Sequence, residues 1–184
     1  IEKRDTTNLD ALLKSTPEIN AAQPDGMTAL HWAVRNDDVV TTRKLLQAGA
    51  NVNAENRYGI RPLTLACVNG ACEIVSQLLD AGADPNVAMA GGETPLMTAS
   101  RTGRADVIKL LLGKGASIDA KERKGQTALM WAAAEGNVDA VTALVDAKAD
   151  IRAATSSGFT AFFFAVRQGH LSVVRQLLES GVDI

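Results

Sequence analysis

Apolar and polar positions along the chain recur at a fixed interval of 33 residues. The segment Gly-Met-Thr-Ala-Leu at 26–30 returns in related form four more times, starting at Gly59, Gly92, Gly125 and Gly158. A pair of apolar residues follows each copy at a constant distance, at 45–46, 78–79, 111–112, 144–145 and 177–178. Self-similarity at such a period indicates a repeat architecture, in which each unit buries its apolar face against its neighbours.

Each unit reads as a turn, a short first helix, a tight reversal, a longer second helix and a loop. Thr at the start of the first helix is a good N-cap, and the Pro that follows it in Thr94-Pro95 is tolerated in a first helical turn. The second helix spaces its apolar residues three and four apart, as at 107–112. We expect at least ten helices in antiparallel pairs and no parallel central sheet.

Two turns in each unit require a residue that can adopt the left-handed backbone conformation. The reversal carries Gly in four units and Asp37 in the first complete one, and Asp tolerates this conformation. The second helix is followed by Gly in four units, whereas Lys148 interrupts that series. We therefore predict a strained or reshaped loop at Lys148.

The period, together with Thr-Ala-Leu-His at 28–31, Thr-Pro-Leu at 94–96 and Ala-Gly-Ala-Asn-Val-Asn-Ala at 48–54, resembles the ankyrin repeat over essentially the whole chain. The resemblance implies an all-α solenoid of stacked helix-turn-helix units with β-hairpin loops. It implies a single domain over 1–184 with a half repeat at 1–22, full repeats at 23–55, 56–88, 89–121 and 122–154, and a near-complete repeat at 155–184. Segments 127–136 and 158–167 further resemble bacterial ankyrin proteins that often carry an export signal. This favours a periplasmic or otherwise exported protein, with a cytoplasmic one as the alternative.

Composition narrows the function classes. Aromatic residues make up only 4% of a chain that is 46% apolar, so the core is built mainly from Ala, Leu and Val, which suits closely packed helices. The net charge of −2 argues against a nucleic-acid partner, which would require a basic excess. No apolar run approaches the roughly 18 residues of a membrane span, so we expect no membrane insertion.

The residues most able to carry chemistry all have a structural interpretation. His31 and His170 occupy framework positions of the repeat, and Cys67 and Cys72 occupy small or apolar positions that favour buried thiols over a disulfide or a zinc site. The tryptophans at 32 and 131 align with Leu, Thr and Phe, which favours a core position between first helices over a ligand site. Phosphate-binding glycine motifs and a nucleophile elbow are absent from the sequence. We therefore predict no catalytic residue, cofactor or metal ion.

The positions that vary between units indicate where a partner binds. In ankyrin proteins these lie at the hairpin tips and at the ends of the first helices that face the concave groove. Basic residues outnumber acidic ones there, beside exposed aromatic residues and Met, as in protein interfaces. The predicted partner-binding residues are Arg35, Arg57, Tyr58, Met89, Arg101, Lys121, Arg123, Lys124, Phe159 and Arg167. We expect a scaffold that binds another protein; the alternative is an accessory array of an enzyme whose catalytic domain lies outside these residues, and a full-length reading frame would separate the two.

The last unit is the most apolar of the five, with Phe159, Val166 and the run Phe162–Phe164. Terminal repeats of an array need a polar outer face, because an unpaired repeat exposes its stacking surface to water. We therefore expect that both ends are cut from a longer stack, and that further repeats or a neighbouring copy cover the C-terminal face. The rival expectation is that the phenylalanines turn inward and the array ends here.

Overall fold

The computed structural model describes residues 18–182, and within them it contains ten helices and no extended strand. In chain order they are α1 (Ala29–Arg35), α2 (Val39–Gln47), α3 (Pro62–Asn69), α4 (Cys72–Asp80), α5 (Pro95–Arg101), α6 (Ala105–Gly113), α7 (Ala128–Ala134), α8 (Val138–Asp146), α9 (Ala161–Gln168) and α10 (Leu171–Glu179). Odd-numbered helices are the short first helices of a repeat, and even-numbered ones are the second helices. The predicted all-α repeat fold is confirmed.

The chain divides into two compact units, Ile1–Asp84 and Pro85–Ile184. In the first unit α1 packs on α3 and α2 on α4, around a core that includes Leu30, Leu63 and Leu78. In the second unit α7 packs between α5 and α9, and α8 contacts both α6 and α10. The largest fully buried side chains of the second unit are Leu96, Met97, Ile108, Leu111, Leu129, Met130, Leu144 and Leu177.

Threonine starts four of the five first helices, as the sequence predicts. The side chain of Thr28 accepts the backbone N–H of His31, and Thr94, Thr127 and Thr160 repeat this contact in their own helices. Each contact satisfies one of the N–H groups that a helix start leaves unpaired. In α3 the side chain of Arg61 makes no such bond. Pro62 begins this helix, and because proline lacks an N–H, the helix start has one fewer unpaired donor.

Glycine at the reversal has a second role besides its left-handed backbone. Gly103 has a φ of +71°, and a Cβ added to it would lie 2.9 Å from Oδ1 of Asn137. The bare glycine therefore leaves room for Asn137, whose Nδ2 donates to the carbonyls of Ser100 and Arg101 at 3.0 and 2.8 Å. His170 approaches Gly136 in the same way, and its Nε2 lies 3.0 Å from the carbonyl oxygen of Ala134. The framework role predicted for His170 is confirmed.

Two residues other than glycine adopt the left-handed conformation within residues 18–182. Asp37 has a φ of 53° at the first reversal, and Lys148 has a φ of 70° after α8. Lys148 thus keeps the turn that glycine makes in the other repeats instead of changing its path, and the strain predicted there is present.

The hairpin loops are closed by the same pair of backbone hydrogen bonds in every repeat. In the loop at 56–60 the N–H of Asn56 donates to the carbonyl of Ile60 at 3.1 Å, and the N–H of Gly59 donates back to Asn56 at 3.0 Å. The loops that start at 23, 89, 122 and 155 repeat both bonds. Strand-like pairing is limited in the described part to two isolated bridges, Ala22 with Thr28 and Ala154 with Thr160.

Asparagine side chains join neighbouring loops within each unit. Nδ2 of Asn53 donates to the carbonyl of Gly82 at 3.2 Å, while its Oδ1 accepts the N–H of Asp84. In the second unit Asn86 makes the equivalent pair of bonds to Gly115 and Ser117. One amide side chain therefore pairs a donor and an acceptor of the next loop, which fixes the register between adjacent repeats.

Candidate protein-binding surface

Helix α1 separates a buried face from an exposed one, and Trp32 lies on the exposed face. Leu30, His31, Ala33 and Val34 are buried, whereas 38% of Trp32 is accessible. The prediction that Trp32 belongs to the core between first helices is therefore wrong. Its position is two residues from Leu30 and Val34, and residues at that spacing do not share a helix face.

Trp32 forms the centre of a small surface cluster in the first unit. Its indole Nε1 donates to Oε1 of Gln23 at 3.2 Å, and the guanidinium carbon of Arg35 lies 5.3 Å from the ring centroid. A cation at this distance from an indole ring is attracted by its π-electrons. The contact holds a predicted binding residue, Arg35, beside an aromatic residue that sequence reasoning placed elsewhere.

The tip of the second hairpin presents a similar pair. Tyr58 is 64% exposed, and the guanidinium carbon of Arg57 lies 5.2 Å from its ring centroid. The backbone N–H of Arg57 donates to the carbonyl of Asp25 at the preceding tip, at 3.0 Å. This bond anchors the tip, so that both side chains project from a backbone that is held in place.

A third arginine–aromatic pair lies in the second unit. The guanidinium carbon of Arg101 is 5.4 Å from the ring centroid of Trp131, and its Nη2 is 3.6 Å from Oε1 of Glu93. The same Glu93 oxygen accepts the hydroxyl of Thr98 at 3.2 Å. Trp131 is half-buried, and its Nε1 is enclosed without a hydrogen-bond partner among residues 18–182. The core position predicted for it is only partly correct.

The three basic residues of the fourth tip differ in what they already contact. Nζ of Lys121 donates to the carbonyl of Ala154 at 3.1 Å, and Nη2 of Arg123 donates to the carbonyl of Ala90 at 2.9 Å. The ammonium group of Lys124 has no hydrogen-bond or ion-pair partner in the described part of the chain. Lys121 and Arg123 therefore link loops within the molecule, while Lys124 is available to a ligand.

The remaining predicted residues divide by exposure. Arg167 is exposed at the end of α9, and Phe159 is 40% exposed at the last hairpin. Met89 is half-buried, and its backbone N–H closes the third hairpin by donating to the carbonyl of Glu93. Among the predicted residues, the contacts place Arg35 beside Trp32, Arg57 beside Tyr58, and Arg101 beside Trp131.

Residues 2–89 and 96–184 match the family model of ankyrin repeats, in three copies. The chain belongs to the ankyrin-repeat family. Ankyrin repeats are generally protein–protein interaction modules, and the family is typically non-catalytic. No curated protein shows a significant match to the chain.

Burial shifts the pKa of two side chains in this ankyrin array, His31 and Cys67. Burial lowers the pKa of His31, although its hydrogen bond to Ile60 and the charge of Asp25 act in the opposite direction. Burial raises the pKa of the Cys67 thiol to about 12, so it carries almost no reactive thiolate near neutral pH. Cys67 and Cys72 form no disulfide.

Between residues 18 and 182 no group of three or more His, Cys, Asp or Glu residues could hold a metal ion. Within the same residues no helix is long and apolar enough to cross a bilayer.

The last ankyrin repeat exposes an apolar face. Phe163 is 54% exposed, Val166 51% and Leu171 77%. The register equivalents of Phe163 and Val166 in the preceding repeat, Met130 and Ala133, are at most 1% exposed. The inward orientation that the rival expectation required is absent for Phe163. That a following repeat covers this face stays a prediction.

Proposed function

We propose that this ankyrin array binds another protein through its hairpin tips and the exposed ends of its first helices, and that it performs no catalysis. The observation that carries the proposal is the three arginine–aromatic pairs, Arg35 with Trp32, Arg57 with Tyr58, and Arg101 with Trp131. Trp, Tyr and Arg are the residues most enriched among those that dominate binding energy in protein interfaces. Holding the arginine against a ring also lowers the side-chain entropy that is lost on binding.

The test is a quantitative comparison of variants, once affinity capture from the native organism has supplied a partner. Arg57→Ala, Tyr58→Ala and Arg101→Ala should each weaken binding of the purified partner by about thirtyfold, since hot-spot truncations cost about 2 kcal/mol. Arg123 is unsuitable for this test, because its substitution would also remove the bond to Ala90. Each variant should keep its unfolding temperature, as exposed substitutions usually change stability within about 0.5 kcal/mol.

Matched controls come from the second helices. Lys109 on α6 and Arg175 on α10 are exposed residues of second helices, and they occupy equivalent positions two repeats apart. Lys109→Ala and Arg175→Ala should leave binding unchanged. If these two abolish binding while the Arg57, Tyr58 and Arg101 variants retain it, the proposed surface is the wrong one.

We also propose that another ankyrin-type helix pair covers the apolar face formed by Phe163, Val166 and Leu171. The support is the register: the equivalents of Phe163 and Val166 in the repeat before are buried, in a helix, α7, that packs against the first helix of the following repeat. Fusing a further copy of residues 119–154 after Ile184 keeps the 33-residue period and should raise the unfolding temperature. In a Phe163→Trp variant with Trp32 and Trp131 replaced by Phe, the same fusion should shield the introduced indole from a collisional quencher. An unchanged unfolding temperature together with unchanged quenching would refute this part.

A further inference from the structure

A depression of about 330 Å³ lies in the second unit, at the fourth and fifth hairpins of the chain. We call it the Phe159 depression; its lining residues are Lys124, Gln126, Thr155, Ser156, Ser157, Phe159 and Phe164. Its volume is at the lower end of the range of ligand-binding clefts. The lining combines two aromatic rings with an ammonium, an amide and three hydroxyl groups, and it contains no carboxylate.

Lys124 is the one charged residue among those that line this depression. Lys124 supplies an ammonium that has no partner within residues 18–182. The adjacent carboxylate in the sequence, Glu122, already accepts the backbone N–H groups of Lys124 and Gln126 through its Oε1, at 2.9 and 3.0 Å. The Oε1 atom of that carboxylate is therefore engaged in closing its own hairpin, and Glu122 is not among the residues that line the depression.

The apolar part is preorganised by ring contacts. Phe159 is 40% exposed, and its ring centroid lies 6.0 Å from that of Phe164 and 6.3 Å from that of Phe163. Aromatic pairs at these separations attract each other, so the exposed ring of Phe159 is held between its neighbours. The hydroxyls of Ser156 and Ser157 make no hydrogen bond within the described residues and can donate to a ligand.

We propose that the Phe159 depression binds an acidic linear segment of a partner protein, in which a carboxylate side chain stands beside an aromatic or large aliphatic one. The carboxylate pairs with Lys124 and accepts bonds from the serine hydroxyls, and the apolar side chain packs on Phe159 and Phe164. Charge complementarity and the absence of a lining carboxylate favour this occupant over a basic segment. The inference rests on the proposed function, to which it adds the chemistry of the partner.

The experiment uses short glycine–serine peptides that carry a central Glu-Phe, Gln-Phe, Lys-Phe or Glu-Ser pair. They are titrated into isotopically labelled protein and followed by amide chemical shifts, which detect weak binding. The Glu-Phe peptide should shift the amides of residues 155–159 and bind about fivefold more tightly than Gln-Phe, the upper range for one exposed ion pair. The Lys-Phe and Glu-Ser peptides should bind more weakly still.

Two variants and one control connect the effect to the depression. Lys124→Gln should abolish the discrimination between the Glu-Phe and Gln-Phe peptides and keep the preference for Glu-Phe over Glu-Ser. Phe159→Ser should abolish the preference for Glu-Phe over Glu-Ser and keep the discrimination between Glu-Phe and Gln-Phe. Lys109→Gln removes an exposed lysine on α6 and should change neither preference.

Equal binding of the Glu-Phe and Lys-Phe peptides, or a Glu preference that survives Lys124→Gln, would overturn the inference. Either result leaves the proposed function standing if the captured partner still depends on Arg57 and Arg101. Failure of the proposed function has a different signature, namely partner binding that is indifferent to those two residues.

Discussion

The two units solve the same structural problem with different chemistry at the third residue of the first helix. In the first unit His31 fills this position: its Nδ1 accepts the N–H of Thr28 at 3.2 Å, and its Nε2 donates to the carbonyl of Ile60 at 3.1 Å. In the second unit Met97 and Met130 fill it in α5 and α7 and are buried almost completely, whereas Phe163 fills it in α9 and is 54% exposed. The first unit thus joins two repeats through a hydrogen-bonded ring, and the second fills the same space with an apolar side chain.

This difference shows that a buried side chain at this position can be held by more than one kind of interaction. A buried hydrogen bond fixes geometry and contributes only about 1 kcal/mol net, yet it is costly when one partner is removed. A buried methionine gains from the apolar area that it removes from water, and its flexible chain adapts to the neighbours. The two units should therefore respond differently to truncation, to acid and to substitution at their strained turns.

Truncation at Met130 should have the largest effect. Met130→Ala leaves a cavity in the core of the second unit and should cost about 2 to 5 kcal/mol. Urea unfolding followed by the fluorescence of Trp131, with Trp32 replaced by Phe, measures the change in that unit. A loss below about 1 kcal/mol would mean that the surrounding helices collapse into the space, and it would remove the contrast between the units.

Lowering the pH should reduce the stability of the first unit, because His31 becomes protonated. Its pKa in the folded protein is lowered by burial, so the unfolded chain binds the proton more readily. The stabilising contribution of the neutral ring is complete above the unfolded pKa of about 6.5, and it is lost as the pH falls from there through the lowered folded pKa. Unfolding monitored by Trp32, with Trp131 replaced by Phe, should show this loss.

His31→Met provides the matched control for the acid effect. It introduces the side chain that the second unit uses, and the loss of stability over this pH range should become smaller in the variant. A pH profile identical to that of the parent protein would show that another group titrates.

Substitution of Lys148 should raise the free energy of unfolding, by less than the truncation at Met130 lowers it. Lys148→Gly removes a side chain from a left-handed residue and should raise the free energy of unfolding by about 1 kcal/mol, because the relief of strain exceeds the added entropy of the unfolded glycine. Asp37→Gly, the equivalent relief in the first unit, should gain less, since Asp tolerates this conformation. Thermal unfolding of both variants gives the comparison, and a larger gain at Asp37 would contradict it.

The sequence predicts the repeat pattern and its turns well, because they are set by local backbone chemistry. The threonine caps, the left-handed Asp37 and the framework role of His31 all follow from residue type and spacing. The position of Trp32 does not follow from alignment with Leu, Thr and Phe in other repeats, which favours burial, whereas the spacing from Leu30 and Val34 places Trp32 on the opposite face. The intramolecular bonds of Lys121 and Arg123 could not be predicted, because they depend on how closely neighbouring loops approach.

The asparagine bridges also determine which repeats can be exchanged for one another. Asn53 and Asn86 each make the same two bonds to the loop that follows. A segment of one period therefore contains an asparagine that bonds to the next loop, and also the backbone groups that bond to the asparagine of the preceding loop. Later copies differ: Asp119 accepts the N–H of Asp150, and the guanidinium of Arg152, which replaces the amide, donates to the carbonyl of Gly181. Duplication or deletion of whole repeats should therefore be tolerated more easily near Asn53 and Asn86 than near Asp119 and Arg152.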